Sequence, residues 1–166
     1  MKYKFYSIEG AYKRGAFRIQ SKVKYDTLKI IDESTPLIKE NNFTVVKGKK
    51  SFDLVHFDDS VFFAISSKFK GLLEIENVTG WGSFPIQIED LDDEYYGIYI
   101  KSKAGPILNL DALNNYETEA VEFDLSTWDG SDIFNLQDTL LYVCTARVRE
   151  IIEKAKITNV AFRPVK

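Results

Sequence analysis

The chain has 166 residues, 45% hydrophobic and 14% aromatic, and a formal net charge of −3. That length suits one domain, 1–166, with its own core and is too short for two of ordinary size. A single cysteine excludes an internal disulfide. No run nears the ~18 apolar residues of a membrane span and the start MKYKFYSIEG has no leader-like apolar stretch, so the expected setting is cytoplasmic, away from membranes.

In chain order, Tyr3 to Ile8 and Phe17 to Tyr25 alternate as two antiparallel strands around the turn-prone Gly10 to Gly15 stretch. Between 26 and 42, Leu28, Ile30, Ile31, Leu37 and Ile38 fit either a short helix or an irregular strand, broken at Pro36. Phe43 to Val46 reads as a strand ended by the basic turn Lys47 to Lys50. Val61 to Ile65 is an unbroken apolar run, as in a strand buried on both faces. Ser66 then supplies an N-cap, and Phe69, Leu72 and Leu73 give one helical face. A strand containing Pro85 follows, then the acidic turn Glu89 to Glu94 and the alternating strand Tyr95 to Ser102, ended by Gly105-Pro106. Ile107 to Leu113 fits either element, and Val121 to Leu125 reads as a strand leading into the loop WDGSDIF, Trp128 to Phe134. Leu140 to Cys144 repeats the buried strand and Thr145 the cap. Val148, Ile151, Ile152 and Ala155 form the second helical face, with Lys154 and Lys156 at its cation-favouring end. A last strand carries Pro164. The fold class is therefore α+β: a mixed or antiparallel sheet with a few short helices.

The last part of this series is written twice. At a constant offset of 79 residues, 53–86 aligns without a gap with 132–165, matching at Asp53/Asp132, Asp59/Asp138, Glu74/Glu153, Thr79/Thr158 and Pro85/Pro164. Apolar positions agree almost throughout, among them Phe62/Leu141, Phe63/Tyr142, Phe69/Val148 and Leu73/Ile152. A shared burial pattern implies a duplicated strand-helix-strand unit, expected to lie in one mixed sheet about a pseudo-twofold axis with both helices on one face.

Charge is uneven. Residues 71 to 146 hold 15 acids and only Lys101 and Lys103 as bases, a balance of −13, whereas the remainder, with 20 bases and 10 acids, carries +10. An acidic surface of that kind repels nucleic acid and speeds association with a basic partner.

Candidate chemistry is sparse. His56, the only histidine, aligns with Asn135, and Cys144 closes a buried strand, so neither reads as a nucleophile system. No cysteine-histidine cluster or phosphate-binding glycine loop is present, and no metal, cofactor or catalytic residue is expected. Asp124, Asp129 and Asp132 offer oxygen ligands without calcium-loop spacing and suit Asx-turns. Trp81 and Trp128 are either core residues or binding anchors.

The succession WDGSDIF, apolar strand, threonine-capped VREIIEKAKI and terminal TNVAFRPV resembles a family of immunity proteins from bacterial polymorphic-toxin systems, first catalogued as a domain of unknown function. The resemblance is firmest over Trp128 to Val165, weaker over 61–86, and absent from 1–50. It implies a non-catalytic cytoplasmic protein that binds and neutralises a cognate toxin. Of the family's typical positions, Trp128, Gly130, Asp132 and Pro164 carry over. With the acidic span, this gives a basic, nuclease-like toxin as the expected partner. The candidate contacts are Glu89, Asp90, Asp92, Asp93, Glu94, Trp81, Trp128 and Asp129. The competing reading is a small metal- or ligand-dependent enzyme with a carboxylate site at Asp129 and Asp132; a self-assembling module is a third.

Overall fold

The computed structural model describes residues 4–24, 42–60, 62–115 and 118–166. Among them, eleven strands and two helices form two mixed sheets, an α+β fold. Apart from Asn42, the ambiguous segment 26–42 lies outside the described residues.

The first sheet is a closed barrel of six strands: β2 (Arg18–Ser21), β3 (Asn42–Lys47), β6 (Trp81–Ile88), β7 (Tyr95–Ile100), β5 (Phe63–Ser66) and β4 (Leu54–Phe57). The second is open, in the order β11 (Val160–Val165), β1 (Phe5–Gly10), β10 (Tyr142–Thr145), β9 (Ile133–Leu136) and β8 (Lys103–Ala104). Helix α1 (Ser67–Ile75) follows β5 and buries Phe69 and Leu73; α2 (Ala146–Lys154) follows β10 and buries Val148 and Ile152.

The 79-residue offset survives in three dimensions. Adding it to the bounds of β4, β5 and α1 reproduces those of β9, β10 and α2, and β6 begins 79 residues before β11. Finer details repeat too. Both helices end into a left-handed residue, Asn77 at φ 52° and Lys156 at 54°, and a second one follows at Gly80 (88°) and Asn159 (65°). The i,i+4 pairs Lys70–Glu74 and Arg149–Glu153 occupy equivalent turns. One difference lies at the caps: Ser66 Oγ accepts from the Phe69 amide at 3.1 Å as well as donating to Asp53, whereas the Thr145 hydroxyl donates to Asp132 and makes no capping bond.

The duplication also reaches further than the aligned segments. β7 lies between β5 and β6, with Tyr96 opposite Ile65 and Pro85; β1 lies between β10 and β11, with Tyr6 opposite Cys144 and Pro164. β2 runs parallel to β4, Arg18 beside His56, as β8 does to β9, Lys103 beside Asn135. The orders β6-β7-β5-β4-β2 and β11-β1-β10-β9-β8 are therefore the same arrangement. In chain terms the copies are 5–88 and 95–165, and each copy's first strand is inserted into the sheet of the other. β3 closes the barrel by bridging β2 and β6. In the second half two isolated bridges, Val121 with Val165 and Ile107 with Phe123, stand where that closing strand would run.

Three expectations are corrected. β1 and β2 do not form a hairpin, because Phe5 to Ile8 is buried at every residue and needs neighbours on both sides, which only the centre of a sheet provides. The repeats also occupy two sheets, the barrel and the open sheet, rather than one. Prolines fit as foreseen: Pro164 is on edge strand β11, and among the described residues Pro85 lies where β6 pairs only with β7, since β3 meets β6 at Gln87 and Ile88. Val121 to Leu125 contributes bridges and a 3-10 turn (Leu125–Thr127) rather than a strand, and Leu110–Leu113 is a second such turn. Equivalent residues Phe63 and Tyr142 meet edge to face, ring centres 5.5 Å apart, where the halves join.

Candidate functional site

The aspartates that open the aligned units, Asp53 and Asp132, form a reciprocal clasp. Asp53 Oδ2 accepts from the Thr158 amide at 2.8 Å and its hydroxyl at 2.9 Å, while the Thr158 hydroxyl accepts from the Asp53 amide at 2.9 Å. In mirror fashion Asp132 Oδ2 accepts from the Thr79 amide at 3.1 Å and hydroxyl at 3.3 Å, and Thr79 Oγ1 accepts from the Asp132 amide at 3.0 Å. Each carboxylate also takes the capping hydroxyl of its own unit, Ser66 or Thr145. Each has a cation from its own helix, Lys68 at 3.9 Å and Arg147 at 3.1 Å. Arg147 reaches on to the Glu76 carbonyl of the opposite unit, and Lys68 to that of Lys156. Burial pushes the Asp132 carboxyl up, but hydrogen bonds from Arg147 and Thr79 and the guanidinium charge outweigh it and hold it below the usual carboxylate range. The Asp and Thr identities of the repeat thus mark where the halves are tied together.

The WDGSD loop is spent on its own backbone. Asp124 accepts from the Ser126 amide and hydroxyl, and Asp129 from the Ser131 amide at 2.9 Å; these bonds hold both carboxyls low. Gly130 supplies φ 87°, open to glycine at little cost. The Trp128 indole donates to the Ser131 carbonyl at 2.9 Å, and its ring packs edge-on against Phe5 at 5.1 Å. Trp81 makes the corresponding bond to the Val78 carbonyl at 2.8 Å. Both indoles are half-buried, and Pro164 is exposed. Among the described residues no group of three or more His, Cys, Asp or Glu side chains is placed to hold a metal ion.

The remaining candidates gather at one place. The β6–β7 turn exposes Glu89, Asp90, Asp92, Asp93 and Glu94, and its backbone is fixed by Glu89 N–H to the Phe43 carbonyl at 2.9 Å and Leu91 N–H to that of Ile88 at 3.2 Å. Asp90 sits at φ 60°. Glu94 accepts from the Ser67 and Tyr96 hydroxyls, Asp93 from that of Ser51, and Glu89 pairs with Lys22 at 3.3 Å. Asp90, Asp92, Asp93 and Glu94 have no ion pair among the described residues. Elsewhere the acidic span is partly neutralised from outside, Asp132 by Arg147 and Glu122 by Lys166. Trp81 begins β6, at the opposite end from the turn, and Trp128 and Asp129 belong to the second half, so the structure does not bring these three to the acidic group.

Sequence reasoning passed over the surroundings of His56, which lies in β4, 4% exposed, beneath the Tyr12 ring. A signal was Gly10, whose missing side chain leaves the space the imidazole fills. Cys144 is fully buried, and burial pushes its thiol up. No helix among the described residues is long and apolar enough to cross a membrane. No protein-family model matches this chain, and no curated protein matches it.

Proposed function

We propose that the chain is an immunity-type inhibitor: a binding protein that neutralises a basic toxin by laying the nucleic-acid-like acidic turn 89–94 into the toxin's cationic groove. The observation that carries this reading is the turn itself. Four exposed carboxylates, without ion-pair partners among the described residues, stand on a loop whose backbone is pinned to β3 and β6, so the charge is presented in a fixed geometry with little ordering cost on binding. Charge so placed acts chiefly on association rate and choice of partner. The resemblance of Trp128 to Val165 to immunity proteins supports the same reading. Asp129 and Asp132, the pair on which the enzyme reading rests, are committed to an Asx-turn and to the clasp.

The test uses the polypeptide encoded immediately upstream as the candidate toxin. Its association with the wild-type chain, followed by stopped flow, should slow steeply as salt is raised. Asp90→Lys, Asp92→Lys and Asp93→Lys together should reduce the low-salt rate at least tenfold and remove protection of growing cells. An unchanged rate and unchanged protection would refute the proposal.

A further inference from the structure

Where a fold is built twice, each position has an internal control, and one pair of equivalent places has diverged sharply. Beside the Phe63–Tyr142 contact a cavity of about 380 Å³ opens between β1, β4 and β11, within the range of about 300–1,000 Å³ common for small-ligand sites. His56 lines it, only 4% exposed, and its buried Nε2 has no hydrogen-bond partner among the described residues. The outer wall is Tyr12, which is 60% exposed and held at φ 51°, its ring stacked on the imidazole with centres 3.9 Å apart. A non-glycine residue in that backbone region stores strain of the kind found at ligand clamps.

The equivalent place in the other half carries larger side chains. Register puts Tyr99 where this half has Glu9, and Ile100 where it has Gly10. The 79-residue offset puts Phe84 where it has Arg163. Those rings need room, and glycines provide it: a Cβ on Gly82 would lie 2.3 Å from the Tyr99 ring, and one on Gly97 would lie 2.1 Å from that of Phe84. The corresponding residues here are Ala161 and Ser7. Asn135, the equivalent of His56, also has an oxygen without a hydrogen-bond partner among the described residues. One copy has thus been filled and the other kept hollow, with a buried imidazole in its wall.

The wall's chemistry selects the occupant. Glu9 and Arg163 neutralise each other at 3.1 Å, and the Ser7 hydroxyl donates to Glu9 at 2.7 Å. Burial keeps the Tyr142 phenol protonated, and burial with Arg18 nearby keeps His56 neutral. A net charge placed there would be desolvated without compensation. We propose that this cavity binds an uncharged small molecule with a flat apolar body and one hydroxyl or amide head directed at the His56 imidazole in its wall. A neutral imidazole can donate or accept, so either head serves. The apolar walls, Phe63 and Leu141 among them, take the body.

The experiment is a two-dimensional NMR titration of the full chain with phenol, indole and benzamide, and with benzoate and benzylamine as charged counterparts. At least one neutral probe should shift the His56, Phe63 and Leu141 signals saturably, with benzoate and benzylamine at least tenfold weaker. H56Q, checked for unchanged folding by the rest of its spectrum, should weaken the neutral probe at least fivefold. Copying the filled half through S7G, E9Y, A161G and R163F should abolish binding; if that chain does not fold, H56Q alone decides. No localised shift with any neutral probe, a charged probe binding equally well, or full affinity in H56Q would overturn the proposal.

Discussion

Acidification should destabilise this protein through one side chain, because His56 is folded into a place that suits only its neutral form. Burial, reinforced by Arg18, lowers its pKa from 6.5 to about 4. Glu9, Arg163, Tyr12 and Tyr142 share its cavity, and the two charged members are paired with each other. Between the two pKa values the unfolded chain holds a proton that the folded chain lacks, so stability rises with pH across that window and falls as pH drops through it. A gap of about two and a half pH units corresponds to about 3 kcal/mol, fully present above pH ~6.5 and gone by pH ~4. Other carboxylates titrate in the same range, so the quantity to measure is a difference. Urea unfolding of the wild type and of H56N, which copies Asn135, should be compared from pH 7.5 to 4. The gap between the curves should shift by about 3 kcal/mol against the wild type as pH falls. As the only histidine, His56 gives a single imidazole resonance, whose titration midpoint should lie near 4. Parallel stability curves, or a midpoint above 6, would refute the reasoning.

Other perturbations follow from the same geometry. Asp53→Ala removes three short hydrogen bonds to a largely buried carboxylate and should cost about 3 kcal/mol, lowering Tm by roughly 6–12 °C, with Thr158→Val costing less. Calorimetry checks both; loss of less than a degree would remove the clasp from the account. Gly80→Ala would place a Cβ 1.9 Å from the Ile133 carbonyl oxygen at φ 88° and should cost more than about 3 kcal/mol, whereas Gly130→Ala, with the same backbone sign but open space, should cost about 1 kcal/mol. Equal losses in urea unfolding would mean that conformation alone matters there. Fragments 1–91 and 92–166 should each lack dispersed NMR spectra and regain them on mixing, since each lacks the strand that completes its sheet; native-like spectra from either alone would contradict the strand exchange.

Much of the scaffold was legible because burial leaves a periodic mark. The gapless alignment of 53–86 with 132–165 predicted matching strands and helices, since apolar residues such as Phe69/Val148 and Leu73/Ile152 must face a core in both copies. What escaped was pairing. FYSI in β1 and YYGI in β7 share no pattern strong enough to announce equivalence, and their common role is set by neighbours distant in sequence. Candidate residues fared unevenly for a related reason. The exposed turn 89–94 could be read from composition, because solvation and not packing governs it. Trp81, Trp128 and Asp129 carry no mark that separates an anchor from a loop staple; only the indole bonds to Val78 and Ser131 show what they hold. The cavity beside His56 was invisible because it depends on what three other strand positions, Glu9, Gly10 and Arg163, lack beside their equivalents Tyr99, Ile100 and Phe84.

The exchange of first strands has a consequence for how the cavity and the acidic turn arise. A tandem repeat whose copies folded separately would duplicate any site it carried, and divergence in one would leave the other core intact. Here β1 belongs to the first copy in sequence and to the second in space, so a change at Gly10 or Glu9 remodels the seam between halves without touching the closure of the barrel by β3. The clasp at Asp53 and Asp132 holds that seam in register from the helix side, which leaves the β4–β11 side free to open into a cavity on one copy and to fill with Tyr99 and Phe84 on the other. The acidic turn is produced in the same way. It is the connection by which the chain leaves one copy and delivers β7, the first strand of the next, back into the sheet it has just finished. In the first sheet β6 and β7 are consecutive and need such a turn, whereas their counterparts β11 and β1 stand far apart in the chain and have none. The most acidic loop of the protein therefore sits where duplication with strand exchange creates a turn unique to one half, free to change without disturbing a symmetric partner.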